Sequence, residues 1–99
     1  MILIENFVED AVRKAKHLEP GKCLDTRTHK RDRGVMIVKN GETYTVYEDG
    51  FYHEVFSQLS LAEMEKLLKK LRKREFPNSR VVHFYEWNSI EEVCHARRY

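Results

Sequence analysis

The chain has 99 residues, 41% hydrophobic and 34% charged, which fits one small folded domain and excludes a disordered or multidomain chain. No run approaches the ~18 apolar residues of a membrane-spanning helix. The formal net charge is only +2, from 18 basic and 16 acidic side chains, so affinity for a polyanion has to come from where the charge sits.

Ile4, Phe7, Val8, Ala11, Val12, Ala15 and Leu18 recur at helical spacing and predict an amphipathic helix over 4–18. Asn6 and Glu9 form a capping pattern near its start, and Pro20-Gly21 ends it. The Thr-rich stretch Lys22–Thr28 reads as a strand, and His29–Gly34 as a polar loop.

Val35–Lys39, Asn40-Gly41 and Glu42–Glu48 predict a two-residue hairpin, because Asn-Gly supplies the positive φ angles of a type I′ turn. Asp49-Gly50 repeats the device before Phe51–Ser57. Those turns would set Ile37 opposite Tyr44, Val35 opposite Val46 and Val46 opposite His53. Val35, Ile37, Tyr44, Val46, Phe51, His53 and Val55 then make the core face. Met36, Val38, Tyr47, Tyr52 and Phe56 crowd the other face, which is too apolar for plain solvent surface. The C-terminal segment or a second subunit is expected to cover it.

Ser60-Leu61-Ala62-Glu63 is a capping box, with Leu59 and Met64 as a hydrophobic staple. The helix it opens runs to about Arg74. Its stripe of Leu61, Met64, Leu67, Leu68 and Leu71 lies opposite Lys66, Lys69, Lys70, Lys73 and Arg74. Pro77-Asn78 turns the chain into a strand at Arg80–Trp87. Ser89-Ile90-Glu91-Glu92 opens a short helix to about Arg97. The order α-β-β-β-β-α-β-α predicts a single α+β domain over 1–99. Its sheet is mostly antiparallel, with a three-stranded meander and two main helices on one face.

Catalytic and metal-binding patterns are missing from the sequence. It has no Cys-x-x-Cys, no His-x-x-x-His, no Gly-x-Ser-x-Gly and no glycine loop for a phosphate. Cys94 and His95 are adjacent, and neighbours on a helix point ~100° apart. No catalytic residue, metal ligand or cofactor is therefore assigned. Cys23 and Cys94 make no disulfide framework, and Met1–Glu5 turns acidic too soon for a signal peptide, so a cytoplasmic protein with reduced thiols is expected.

The expected function is that of a small non-catalytic interaction protein, which binds a protein partner or a second copy of itself. Met36, Val38, Tyr47, Tyr52, Phe56, Tyr85 and Trp87 are the candidate surface. The alternative is sequence-nonspecific nucleic-acid binding. Residues 22–34 carry +3 and residues 60–74 carry +4, so Arg27, Lys30, Arg31, Arg33, Lys66, Lys69, Lys70, Lys73 and Arg74 are the candidate phosphate contacts. Glu63 and Glu65, one turn before Lys66, Lys69 and Lys70, temper that charge.

Overall fold

The computed structural model describes residues 2–28, 33–50, 53–77 and 79–92. A short strand, β1 (Ile2–Leu3), leads through a 3-10 turn (Ile4–Asn6) into helix α1 (Phe7–Lys16). Strands β2 (Cys23–Thr28), β3 (Gly34–Asn40), β4 (Thr43–Asp49) and β5 (His53–Leu59) follow, then helix α2 (Leu61–Glu75) and strand β6 (Val81–Trp87). The six strands form one sheet in the order β1-β6-β2-β3-β4-β5, and every pairing is antiparallel. The chain is thus an α+β domain. Among the described residues, no helix is long and apolar enough to cross a membrane.

The meander is four-stranded, one strand longer than expected. After α2, β6 returns along the free side of β2, with Phe84 opposite Thr26. Both helices pack on one sheet face. Phe7, Ala11 and Ala15 of α1 meet Met64, Leu68 and Leu71 of α2 over Leu24, Val35, Ile37, Tyr44, Val46 and Val82.

Helix α1 starts at Phe7 because the sheet takes the residues before it. Ile2 and Leu3 pair with Val82 and Val81, and the Ile4 N–H donates to the Arg80 carbonyl at 2.8 Å. Asn6 makes no side-chain cap. At the other end, the Lys39 ammonium donates to the Lys16 carbonyl at 2.7 Å, a cation at the negative end of the helix. The capping box of α2 forms as read: the Glu63 N–H donates to Ser60 Oγ at 3.2 Å, and the Ser60 N–H donates to Glu63 Oε1 at 3.0 Å. A helical turn at 90–92 opens with the Glu92 N–H donating to Ser89 Oγ at 3.3 Å. The rest of that expected helix, 93–97, lies outside the described residues.

The two hairpins differ from their expected registers in instructive ways. In the first, Asn40 pairs with Thr43, Ile37 with Val46 and Val35 with Glu48, so Gly41 (φ +73°) and Glu42 make the turn. The shift is one residue on each strand. Face parity survives, and Val35, Ile37, Tyr44 and Val46 all enter the core as expected.

In the second hairpin Asp49 pairs with His53, and Val46 pairs with Phe56. The connection spans residues 50–52, and the odd change in loop length reverses the face of β5. Phe56 therefore joins the helix-side core, while His53 and Val55 move to the opposite face. An extra residue on β5 between the Phe56 and Leu59 pairings, with Gln58 at φ +55°, returns Leu59 to the core.

Candidate functional site

The sheet face without helices holds a buried charge network. Alternation along β2 sends Asp25 and Arg27 to that face. Arg27 is 1% exposed. Its Nε donates to Asp25 Oδ1 at 2.8 Å, and its Nη1 donates to Asp49 Oδ2 at 2.7 Å. Trp87 Nε1 donates to Asp25 Oδ2 at 3.2 Å, and His53 Nδ1 lies 3.2 Å from Asp49 Oδ1. Gly34, beside Arg27, leaves room for this arrangement: a Cβ there would lie 2.6 Å from Arg27 Nε and 2.7 Å from the Thr26 carbonyl. Arg27 is fully committed inside the protein and leaves the set of candidate phosphate contacts.

The candidate interaction residues divide sharply. Met36 and Val38 are 3% and 6% exposed, buried with Cys23 beneath Tyr47, Trp87 and Ile90. They offer a partner almost no surface of their own. Trp87 and Ile90 come from the C-terminal part of the chain, which therefore supplies part of the expected cover. Phe56 faces the helices. Tyr85 is half-buried, stacked on His83 at 6.5 Å. Tyr52 lies outside the described residues.

A second network closes the helix side. Arg74 Nε donates to Glu48 Oε2 at 2.9 Å, a second bond joins Arg74 Nη2 to Glu48 Oε1, and Glu54 Oε2 lies 3.4 Å from Nη2. Arg74 thus also leaves the phosphate set, and its bond to Glu48 raises its pKa. Burial pushes the Glu48 carboxyl up. Hydrogen bonds from Arg74 and Glu75, with the Arg74 and Lys70 charges, outweigh this and hold it below the usual carboxylate range. Glu75 is fully buried against Gly50, and Arg33 Nη1 donates to the Glu75 carbonyl at 3.4 Å.

A pH dependence follows from Glu48. Its native pKa lies below the ordinary 4.5, so its contribution is present above that value and is lost as pH falls through the native pKa. Glu48→Gln is expected to cost about 1.5–3 kcal/mol at neutral pH. That difference should shrink in melts taken below pH 4.5. A constant difference across the acid range would contradict the assignment.

What remains on the surface is a strip and an edge. Lys66, Lys69, Lys70 and Lys73 are all exposed on one face of α2, at the spacing i, i+3, i+4 and i+7. Lys30 and Arg31 lie outside the described residues. The edge is β5, where His53, Glu54, Val55, Ser57 and Gln58 are exposed. Val55 is 59% exposed. Beside it runs a groove of about 350 Å³, lined by residues that include Met36, Tyr47, His53, Val55 and Ile90. Sequence reading missed this edge because it placed Val55 inside. Among the described residues no group of three or more His, Cys, Asp and Glu side chains is placed to hold a metal ion.

No family model, curated protein or solved structure matches the chain. The functional reading therefore rests on its own residues.

Proposed function

We propose that this chain is a small non-catalytic binding module of the cytoplasm that pairs with a second copy of itself along β5. The observation that carries this reading is the outer edge of β5: seven residues long, exposed along most of its length, and unpaired on its outer side among the described residues. Natural edges are usually blunted by lysine, proline or a bulge. Residues 53–56 have none of these; the bulge takes in Ser57 and Gln58, between the Phe56 and Leu59 pairings. On the opposite side, β1 pairs with only Val81 and Val82 of β6 among the described residues, and the rest of that edge, His83–Trp87, is half-buried except at Glu86.

The pairing also has a preferred register. A two-fold axis at Val55 sets Val55 against its own copy, Glu54 against Phe56 and His53 against Ser57, with no like charges opposed. An axis at Glu54 would oppose two carboxylates. The strand edge supplies direction, and the apolar groove beside Val55 supplies area to bury.

Val55→Lys is expected to abolish the pairing, with a change in monomer stability within about 0.5 kcal/mol because the site is exposed. Amide hydrogen exchange checks this. In the wild type, protection of residues 53–57 should rise with protein concentration, and in the variant it should not. Equal, concentration-independent exchange in both proteins would reject self-pairing. A monomer that protects the same amides only when an extended peptide is added would assign the edge to another protein.

One observation favours a second reading. The four exposed lysines of α2 form a cationic face suited to sequence-nonspecific phosphate contact, although Arg27 and Arg74 are withdrawn from it. Fluorescence anisotropy with short DNA and RNA should then show affinity that falls steeply with salt. The triple variant Lys66→Glu, Lys70→Glu and Lys73→Glu should lose it while remaining folded. Undiminished affinity in that variant would end this reading.

A further inference from the structure

The described arginines that enter the protein surface meet an oxygen partner, with one exception. Arg27 holds Asp25 and Asp49, Arg74 holds Glu48 and Glu54, and Arg33 holds the Glu75 carbonyl. Arg72 is half-buried, and its Nε–H is shielded from solvent with no acceptor. Burying a guanidinium N–H without a partner is unfavourable, and burying the charge without a counter-charge more so.

Arg72 lines a pocket of about 250 Å³ with Lys73, Phe76 and Pro77. Among the described residues no carboxylate lines it. Phe76 is buried and Pro77 exposed, so the pocket has one firm apolar wall and an open mouth. Lys73 belongs both to this pocket and to the exposed lysine strip. The end of α2 contributes a partial negative charge of about −0.5, which the full charges of Arg72 and Lys73 exceed.

We propose that the Arg72–Lys73 pocket is an oxyanion site that takes a phosphate group. The terminal guanidinium N–H groups offer charge-assisted bonds to phosphate oxygens, Lys73 adds a second charge from the mouth, and the bound anion supplies the counter-charge that the shielded Nε–H end lacks. Phosphate offers tetrahedrally placed acceptor oxygens that can meet the Arg72 guanidinium and the Lys73 ammonium from different sides, so it is the preferred anion. The site is separate from the β5 edge and does not depend on self-pairing.

The test uses the full chain and follows the Arg72 Nε–Hε resonance by ¹⁵N–¹H NMR while inorganic phosphate is added, with sodium chloride at matched ionic strength as the control. Phosphate should move the resonance saturably, and chloride should not. Arg72→Gln should weaken phosphate binding about tenfold or more, the loss of roughly one charge-assisted contact, as read from the shifts of the Lys73 and Phe76 amides. Arg72→Lys, which keeps the charge without the guanidinium, should fall between. Arg13→Gln, at an exposed arginine paired with Asp10, should match the wild type.

Two further probes identify the source of the phosphate. If a 5′-phosphorylated oligonucleotide displaces inorganic phosphate better than its unphosphorylated form, the site takes a terminal phosphate. Equal displacement by both means that it takes a backbone phosphodiester. A resonance unmoved by phosphate, moved equally by chloride, or binding unchanged in Arg72→Gln would overturn the proposal.

Discussion

Replacing Arg27 with methionine is expected to lower stability by about 3–5 kcal/mol, the cost of removing one partner from a buried ion pair. The guanidinium is 1% exposed and sits between Asp25 and Asp49. Asp25 is fully buried and Asp49 nearly so, so the variant would strand two carboxylates away from water. A domain of this size has about 5–15 kcal/mol in total, and the loss would be a large part of it. Urea denaturation at neutral pH measures it directly. Adding Asp25→Asn and Asp49→Asn to the methionine variant should recover part of the loss, since the stranded charges are then gone. A single variant that loses less than about 1 kcal/mol would mean that the carboxylates find water or other partners.

Phe7→Ala is the second large effect, also about 3–5 kcal/mol. Phe7 is fully buried, and its ring meets Phe76 edge-on at 5.3 Å and Phe84 at 6.3 Å. It is where α1, the end of α2 and β6 are pinned together. The other buried residues of α1 are the small Ala11 and Ala15, and Val8 and Val12 pack on the core only partly buried, so Phe7 is the largest anchor of the helix. Truncation should therefore loosen α1 as a unit, and amide exchange in Phe7–Lys16 should accelerate more than exchange in β2–β4. A small loss spread evenly over the chain would contradict this anchoring role.

The parts of the fold that were legible in the sequence are those with local causes. The apolar stripe of α2 and its Ser60–Glu63 box depend on residues a turn apart, and both formed as read. The core face of β3 and β4 was legible because a register shift of one residue on each strand preserves parity. The face of β5 was not, because one extra loop residue reverses it. Asp49 reads locally as the start of a tight turn, yet in the fold it is a ladder residue whose carboxylate holds Arg27 and faces His53. That demand comes from β2, 22 residues away.

Two of the candidate phosphate contacts, Arg27 and Arg74, are drawn inward for the same reason. Arg74 lies one helical step from Lys73 and counts as part of the same basic face, but Glu48, 26 residues earlier, pulls it inward. The four lysines stayed on the surface because no acid across the fold claims them by a direct ion pair among the described residues. Strand β1 was invisible to periodicity, since two residues carry no pattern and their partners, Val81 and Val82, lie at the other end of the chain.

Sedimentation equilibrium of the wild-type chain beside Val55→Lys, over a wide concentration range, tests the β5 pairing most directly. The wild type should approach twice the chain mass as concentration rises, and the variant should remain at the chain mass. A wild-type protein that stays monomeric throughout, or a variant that dimerises equally well, would contradict it.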